Sequence, residues 1–452
     1  MEIETPFAIM EGAAGATQNS RETLINMYAE IVQGGTSQIV RRQRPGVENV
    51  QALAGEKRCI EKFGDIHYLI AGATFYSFDG ATLTTLGTLN TSSGKCSMIY
   101  NDNAEIMISD GATGYYWNGS TLAVITPPAG MDGFGTLAFL GGFGIIGVPG
   151  SDRFYTTPSN DFSQVDGADF ATAESAPDPI VRVFVDHNEL WLAGTGTTEI
   201  WQQVSASFPF QPLANAKLER GCAAPFSFAA EDNSVFFLGD DGIVYRADGY
   251  RPVVVSTRPV EDLIAGLSKA DAHAMVYTTR GNKFYTLIFP GQLTLQYNIT
   301  TGLWNRDATY PDDDWQIMSS HGHHADYVLT ATGIGRLVDG LCTDDGGIML
   351  RTAVSAPGYA LGRRITVNNL FLDAEVGRAD IGVEANVMLR MALDGETFGN
   401  QRVRSLGPTG DYRRRAVWRG LGQGRSPVIE VSISDPVEFK IMSAIPDVSI
   451  DG

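Results

Sequence analysis

The chain has 452 residues, a formal net charge of −19 and 43% apolar residues. That length is too great for one small core and predicts two or more domains. An acidic body disfavours wrapping of nucleic acid on its outer surface, while leaving room for a local basic patch. The 51 glycines and the 10% of aromatic residues suit short strands and tight turns. Few windows keep a 3.6-residue period, and short helices are expected only around Pro259 to Leu267 and near Arg21 to Ile31.

The acidity is uneven. From Asp345 onward there are 13 Lys+Arg and 13 Asp+Glu, so the first 344 residues hold 20 basic and 39 acidic groups, which is the whole excess. Cys59, Cys96, Cys222 and Cys342 lie far apart with no CxxC pair, which predicts buried, reduced thiols rather than a zinc or redox site. The opening MEIETPFAIMEG is acidic, so no secretory leader is expected, and folding in a reducing cytoplasm is expected. The most apolar window, Gly135 to Val148, is too short and Gly-rich for a membrane span.

Residues 1–55 read as an irregular N-terminal arm. Within it Arg41, Arg42 and Arg44 precede Pro45-Gly46. They fit either a solvated strand end or a contact with an acidic partner surface.

From about residue 65 a hairpin grammar recurs: apolar strand, Gly-containing turn, strand ending near an aromatic, then Asp-Gly or Asn-Gly. It appears at His67 to Phe78, Ala104 to Trp117, Leu137 to Tyr155, His187 to Trp201, Ser234 to Ala247, Lys283 to Asn298 and Asp326 to Val338. Asp-Gly suits such turns because Gly accepts positive φ at little cost and Asp tolerates it. An irregular period of roughly 36 to 48 residues with three or four short strands per unit is the signature of a β-propeller. We expect an all-β fold: a propeller of about seven blades over residues 56–344. Stacking the small sheets around an axis would cover their faces and protect their edges.

After residue 344 the texture changes. Ile365 to Val376, Ala385 to Leu393, Val428 to Ile433 and Val437 to Ile441 read as strands of a separate sandwich-like domain, 345–452. Here lies the one unusual charge feature. Arg402, Arg404, Arg413, Arg414, Arg415, Arg419 and Arg425 are interrupted by a single acid, Asp411, and interleaved with Tyr412 and Trp418. Arginine forks grip carboxylates or phosphates with fixed geometry. A solvated edge, docking on an acidic protein surface and contact with DNA backbone all fit the run.

Catalytic signals are weak. His321, His323, His324 and Asp326 (HGHHAD) could share a strand face and ligate zinc or nickel, but they follow the loop Pro311-Asp312-Asp313-Asp314 and a solvated loop fits them better. Gly239-Asp240-Asp241-Gly242 lacks the ligand density of a calcium loop. There is no nucleophile elbow, Walker loop or HExxH, and no carboxylate pair stands out for glycoside hydrolysis. No cofactor, metal site or enzyme activity is expected. A carbohydrate-binding or glycoside-cleaving propeller is the alternative reading.

Three zones together resemble the packaged-DNA stabilisation, or tail accessory, proteins of short-tailed bacteriophages. The first is Ile25-Asn26-Met27-Tyr28 followed by Arg44-Pro45-Gly46. The second is Thr198-Glu199-Ile200-Trp201, then Glu219-Arg220-Gly221-Cys222-Ala223, the Phe237 to Tyr245 hairpin and Arg258-Pro259-Val260-Glu261. The third is Asp394 to Gly399, the run from Arg413 to Trp418 with Arg419, and a final strand pair through Pro436. The resemblance implies a structural virion protein of the tail, a hub or nozzle ring, usually a hexamer, below the portal and its adaptor ring. It further implies an extended DNA channel, retention of packaged DNA, and attachment of tailspikes or fibres and a tail needle or plug.

Overall fold

A computed structural model of the chain describes residues 7–12, 22–32, 39–173, 178–320, 327–377 and 384–450. Its architecture is all-β apart from one short helix. Seven four-stranded antiparallel blades form the propeller, five of them separate sheets and two of them parts of larger sheets. Blade one consists of Lys57–Phe63, Ile66–Ala71, Thr74–Phe78 and Leu83–Thr88. Blades two to five repeat this order over residues 97–125, 137–172, 180–218 and 229–254, and blade six covers 273–307. The first strands of successive blades pack side by side around the axis.

Blade seven is composite. Its inner strands are Ile317–Ser320, Tyr327–Thr330 and Gly333–Val338, and its outer strand is Gly46–Ala52, from the start of the chain. The two ends of the propeller are thereby hydrogen-bonded together, from Gly333↔Ala52 to Val338↔Gly46. Ring closure leaves no open sheet edge there.

Each expected hairpin falls in a blade of its own; most supply its two middle strands, and Leu137 to Tyr155 takes in the first strand of blade three as well. The turns work as their chemistry predicts. Asp79 Oδ1 accepts the N–H groups of Ala81 and Thr82 at 2.9 and 2.7 Å, and Asp110, Asn118 and Asp394 do the same for the residues two and three ahead. The glycine that follows each has φ between 84° and 94°, where an L side chain is strained. Between blades the apolar faces meet: Phe75 and Trp117 stand edge-to-face at 5.9 Å in a cluster with Cys59, Ile70 and Met98. All four cysteines are free and buried.

The helix, Arg258–Ala265, starts with proline in its first turn, where the missing N–H costs nothing, and buries Val260 and Ile264, one turn apart. The second expected helix is not formed. Thr23–Ile25 and Met27–Ile31 are strands. Asn26 between them has φ 58°, so the chain breaks step and passes from one sheet to another.

Those strands also correct the reading of an irregular arm. The C-terminal domain is a two-sheet sandwich that takes in the beginning of the chain. One sheet runs Thr23–Ile25, Arg351–Val354, Val428–Ile433, Ala385–Ala392, Arg402–Gly407. The other runs Met27–Ile31, Ile39–Gln43, Lys440–Ile450, Ile365–Ala374, Ala416–Gly424. Leu24 and Met27 enter the same core as Leu370, Val387, Trp418 and Phe439. The last strand starts at Lys440 and reaches Ile450 rather than spanning Val437 to Ile441, because Val437 N–H closes a turn on Asp435 O. Thr23–Ile25 also joins blade six through the parallel pair Ile25↔Arg306, so a nine-stranded sheet runs through both domains.

Candidate interface residues and the joint between the domains

The arginines of the N-terminal stretch and those of the C-terminal run separate into two groups. Arg44 is fully buried. Its Nη1 and Nη2 donate to the two carboxylate oxygens of Asp344 at 2.9 and 2.5 Å, its Nε donates to Asn26 Oδ1 at 2.9 Å, and its guanidinium lies 4.1 Å from the ring centroid of Trp315. Asp307, also buried, lies 3.5 Å from Nε. Arg41 is buried too, with Nε on Ala8 O at 2.9 Å. Neither residue is a solvated strand end or an exposed contact. The fork of the guanidinium lets both be satisfied inside the chain. Arg42 pairs with Glu30 at 3.0 Å, with little of either side chain exposed.

Asn26 completes this joint. Its amide donates to Ala308 O and Leu350 O at 2.9 and 2.8 Å, and its Oδ1 accepts from Ala308 N at 2.8 Å as well as from Arg44. Four bonds tie the start of the chain, blade six and the start of the sandwich. Gly46 is held to glycine by crowding: a Cβ there would lie 2.5 Å from Thr343 O and 2.6 Å from Leu341 O. The Asn26 and Arg44-Pro45-Gly46 motif residues are thus the fastening between the domains. Burial drives the Asp307 carboxyl up to about 7 against the opposing pull of Arg44. Burial acts to lower the Arg44 pKa, but Asp344 outweighs it and the net shift is upward.

The C-terminal arginines sit at one edge of the sandwich, where Arg402–Gly407 and Ala416–Gly424 end their respective sheets. Arg402 Nη1 donates to Arg419 O and Gly420 O at 3.2 and 3.1 Å, and Arg404 Nε donates to Val417 O at 3.0 Å. Trp418 Nε1 returns a bond to Arg402 O at 3.0 Å. These side chains cap carbonyls that an edge strand would otherwise leave open. Arg415 pairs with Asp373 at 2.7 Å and Arg414 with Glu384 at 3.5 Å, all partly exposed. Arg413, Arg419 and Arg425 are exposed.

The middle motif is likewise structural. Glu199 accepts Trp201 Nε1 at 3.0 Å, and Arg220 Nε donates to Tyr245 OH at 2.9 Å beside Asp241. Asp240 and Asp241 hold Gly221 N–H and Ile243 N–H at 3.0 and 3.1 Å, so both carboxylates serve the turn. His321, His323, His324 and Asp326 lie outside the described residues. Among the described residues no cluster of three or more His, Cys, Asp or Glu side chains is arranged to hold a metal, and no helix is long and apolar enough to cross a membrane. Asp344 and Asp307 were missed by sequence reasoning: nothing local announces that they face Arg44.

A family model described as bacteriophage P22 Gp10, beta-propeller, matches residues 5–357, and a second, bacteriophage P22 Gp10, beta-sandwich, matches residues 354–444. The chain belongs to the bacteriophage P22 Gp10 family. The family is one of phage structural proteins concerned with stabilisation of packaged DNA, and both of its domain types occur here. No curated protein matches the chain. Among solved structures, a chain of the mitotic checkpoint complex is 11% identical over 66% of this chain and 95% of its own, with TM-score 0.43. YCF48 bound to D1 peptide is 14% identical over 66% and 98%, with TM-score 0.41. BamB from Moraxella catarrhalis is 12% identical over 69% and 98%, with TM-score 0.40. Such distant likenesses say nothing of function.

Proposed function

We propose that the chain is a non-enzymatic subunit of a phage tail hub or nozzle ring, placed below the portal and adaptor, which extends the DNA channel and helps retain the packaged genome. The observation that carries this reading is the ordered match of both Gp10 domain types over residues 5–444. In this reading six copies form a ring, and the ring offers seats for tailspikes or fibres and for a needle or plug. The exposed part of the arginine edge, Arg413, Arg414 and Arg415, meets an acidic neighbour, and the acidic propeller of the next copy is one such surface. The excess of acids in the first 344 residues suits a channel wall, because like charge keeps DNA from adhering as it leaves.

Sedimentation of the purified protein, alone and with portal–adaptor complexes of the same phage, tests this reading. A ring, or a monomer that becomes a stoichiometric ring on the adaptor, is the expected result. A monomer indifferent to the adaptor would refute it.

A further inference from the structure

We propose that neighbouring copies of the chain are joined by Tyr310 of one copy entering an apolar cavity in the sandwich of the next, with Asp312 and Asp313 meeting Arg363 and Arg364. The contact presupposes the proposed ring and names the surfaces that close it. A cavity of about 470 Å³ opens at one end of the sandwich, between Phe7, Ile365, Val367, Ile429, Val448 and Ile450. That volume is ample for an aromatic side chain. Among the described residues the one charged side chain in its wall is Glu22, almost fully buried. Its Oε1 accepts Ile9 N–H at 2.7 Å, and Met10 N–H also acts on the carboxylate. Two such donors leave a carboxyl group with acceptor capacity to spare. Burial pushes its pKa up against the pull of Ile9 N–H and Arg41; Glu11 adds to the rise and is itself paired with Arg306. An apolar hole with one acceptor in its wall fits a tyrosine, whose ring needs apolar walls and whose O–H needs a partner once buried.

Tyr310 is the ring that lacks a seat. Among the described residues the exposed aromatic rings of the propeller are Tyr100, Phe170 and Tyr310. Tyr100 stacks on Phe63, and Phe170 lies 5.3 Å from the Arg153 guanidinium. Tyr310 is 54% exposed and has no ring or cation partner among the described residues. Asp312 and Asp313 beside it are exposed and take part in no ion pair there; Asp312 accepts only the Gln316 amide, at 2.7 Å. Asp314 is turned inward and pins the loop by accepting Gly291 N–H at 2.8 Å.

The cavity carries the opposite charge at its rim. Arg363 and Arg364 lie in the loop between Ala360 and Ile365, both of which line the cavity, and both arginines are exposed. Neither takes part in an ion pair among the described residues, and Arg364 Nη1 reaches only Gln423 Oε1, at 3.5 Å. Asp447, between the lining residues Pro446 and Val448, is engaged by the Asn369 amide at 2.8 Å. Two unpaired acids beside the ring thus match two unpaired cations beside the hole. The two surfaces stand at opposite ends of the joint between the domains. The parallel register Ile25↔Arg306 sets Glu22 level with Leu303, where the last strand of blade six begins, whereas Tyr310 follows the far end of that strand, beyond Asp307. One copy therefore offers ring and hole to two different neighbours, a head-to-tail contact of the kind that closes rings.

Cross-linking of full chains on portal–adaptor complexes of the same phage tests the contact. Asp313→Cys and Arg364→Cys are made in separate chains, all four native cysteines being buried. Each is added alone and in a one-to-one mixture, rings are followed by sedimentation, and the samples are oxidised. A disulfide-linked dimer from the mixture, and from neither variant alone, is expected. Tyr310→Ala, and Asp312→Arg with Asp313→Arg, should each raise the concentration needed for rings by about tenfold or more. Adding Arg363→Asp with Arg364→Asp to the charge-reversed chain should restore assembly. All these positions are exposed, so every variant should melt like the wild type. Rings without the mixed dimer, normal assembly of the Tyr310 or charge-reversed variant, or no rescue by the second reversal would overturn the contact and leave the ring standing. Absence of rings with the wild type would refute the ring and this contact together.

Discussion

Arg44 and Asp344 stand 300 residues apart in the chain and meet in a buried, two-pronged ion pair. One partner leads into the strand that closes blade seven, and the other lies where the propeller gives way to the sandwich. The pair therefore fixes both the ring and the seat of the second domain.

Removing the cation strands two buried carboxylates, Asp344 and Asp307. Arg44→Met should cost about 3–5 kcal/mol. Arg44→Lys should recover little, since an ammonium cannot grip two oxygens and Asn26 at once. Urea unfolding of the three proteins measures this, and a loss below about 1 kcal/mol for the Met variant would contradict the assigned role.

Asp307 gives the joint a pH signature. Its folded pKa, about 7, lies above the unfolded value, so the folded state binds the proton more tightly. Its contribution to stability is fully present below the unfolded pKa and is lost as pH rises towards 7. Asp307→Asn should remove that dependence. The stability difference between variant and wild type should shift in favour of Asn from about pH 4 to 7 and then level off. A difference that is flat across that window in paired denaturation curves would show that Asp307 does not titrate as described.

Closure of the ring has its own weak point. A Cβ on Gly333 would lie 2.0 Å from Gln51 O and 2.8 Å from Ala52 Cα on the closing strand. Gly333→Ala should force the strands apart and cost about 1–3 kcal/mol. Hydrogen exchange should show faster exchange at the amides of the Gly46–Ala52 strand, ahead of other blades. Unchanged protection there would count against a tight closure.

The arginine edge divides by role. Arg413, Arg414 and Arg415 changed together to Ala should leave the melt nearly unchanged, since exposed ion pairs contribute only about 0–1 kcal/mol each. The same triple variant should fail to form rings on the adaptor by sedimentation. Arg402→Ala with Arg404→Ala should instead lower the stability of the sandwich and favour aggregation, because the carbonyls of the Ala416–Gly424 edge are uncovered. Normal ring assembly by the triple variant would remove that stretch from the interface.

The strand grammar, the Asp-Gly and Asn-Gly turns, the number of hairpins and the presence of a second β-domain were legible along the chain. All of them depend on residues close in sequence: a turn needs its glycine at the next position, and a half-buried strand shows its alternation within a few residues. The helix at Arg258–Ala265 was legible for the same reason. What only the tertiary structure decided involves distant partners. The strands Thr23–Ile25 and Ile39–Gln43 could not be assigned to the sandwich, because their partner strands there arrive more than three hundred residues later. Arg41 and Arg44 look like surface arginines until the acceptors that let them be buried are brought around them. Blade seven exists only once the ring has closed, since its outer strand, Gly46–Ala52, and its three inner strands come from opposite ends of the propeller and no single stretch of sequence contains it.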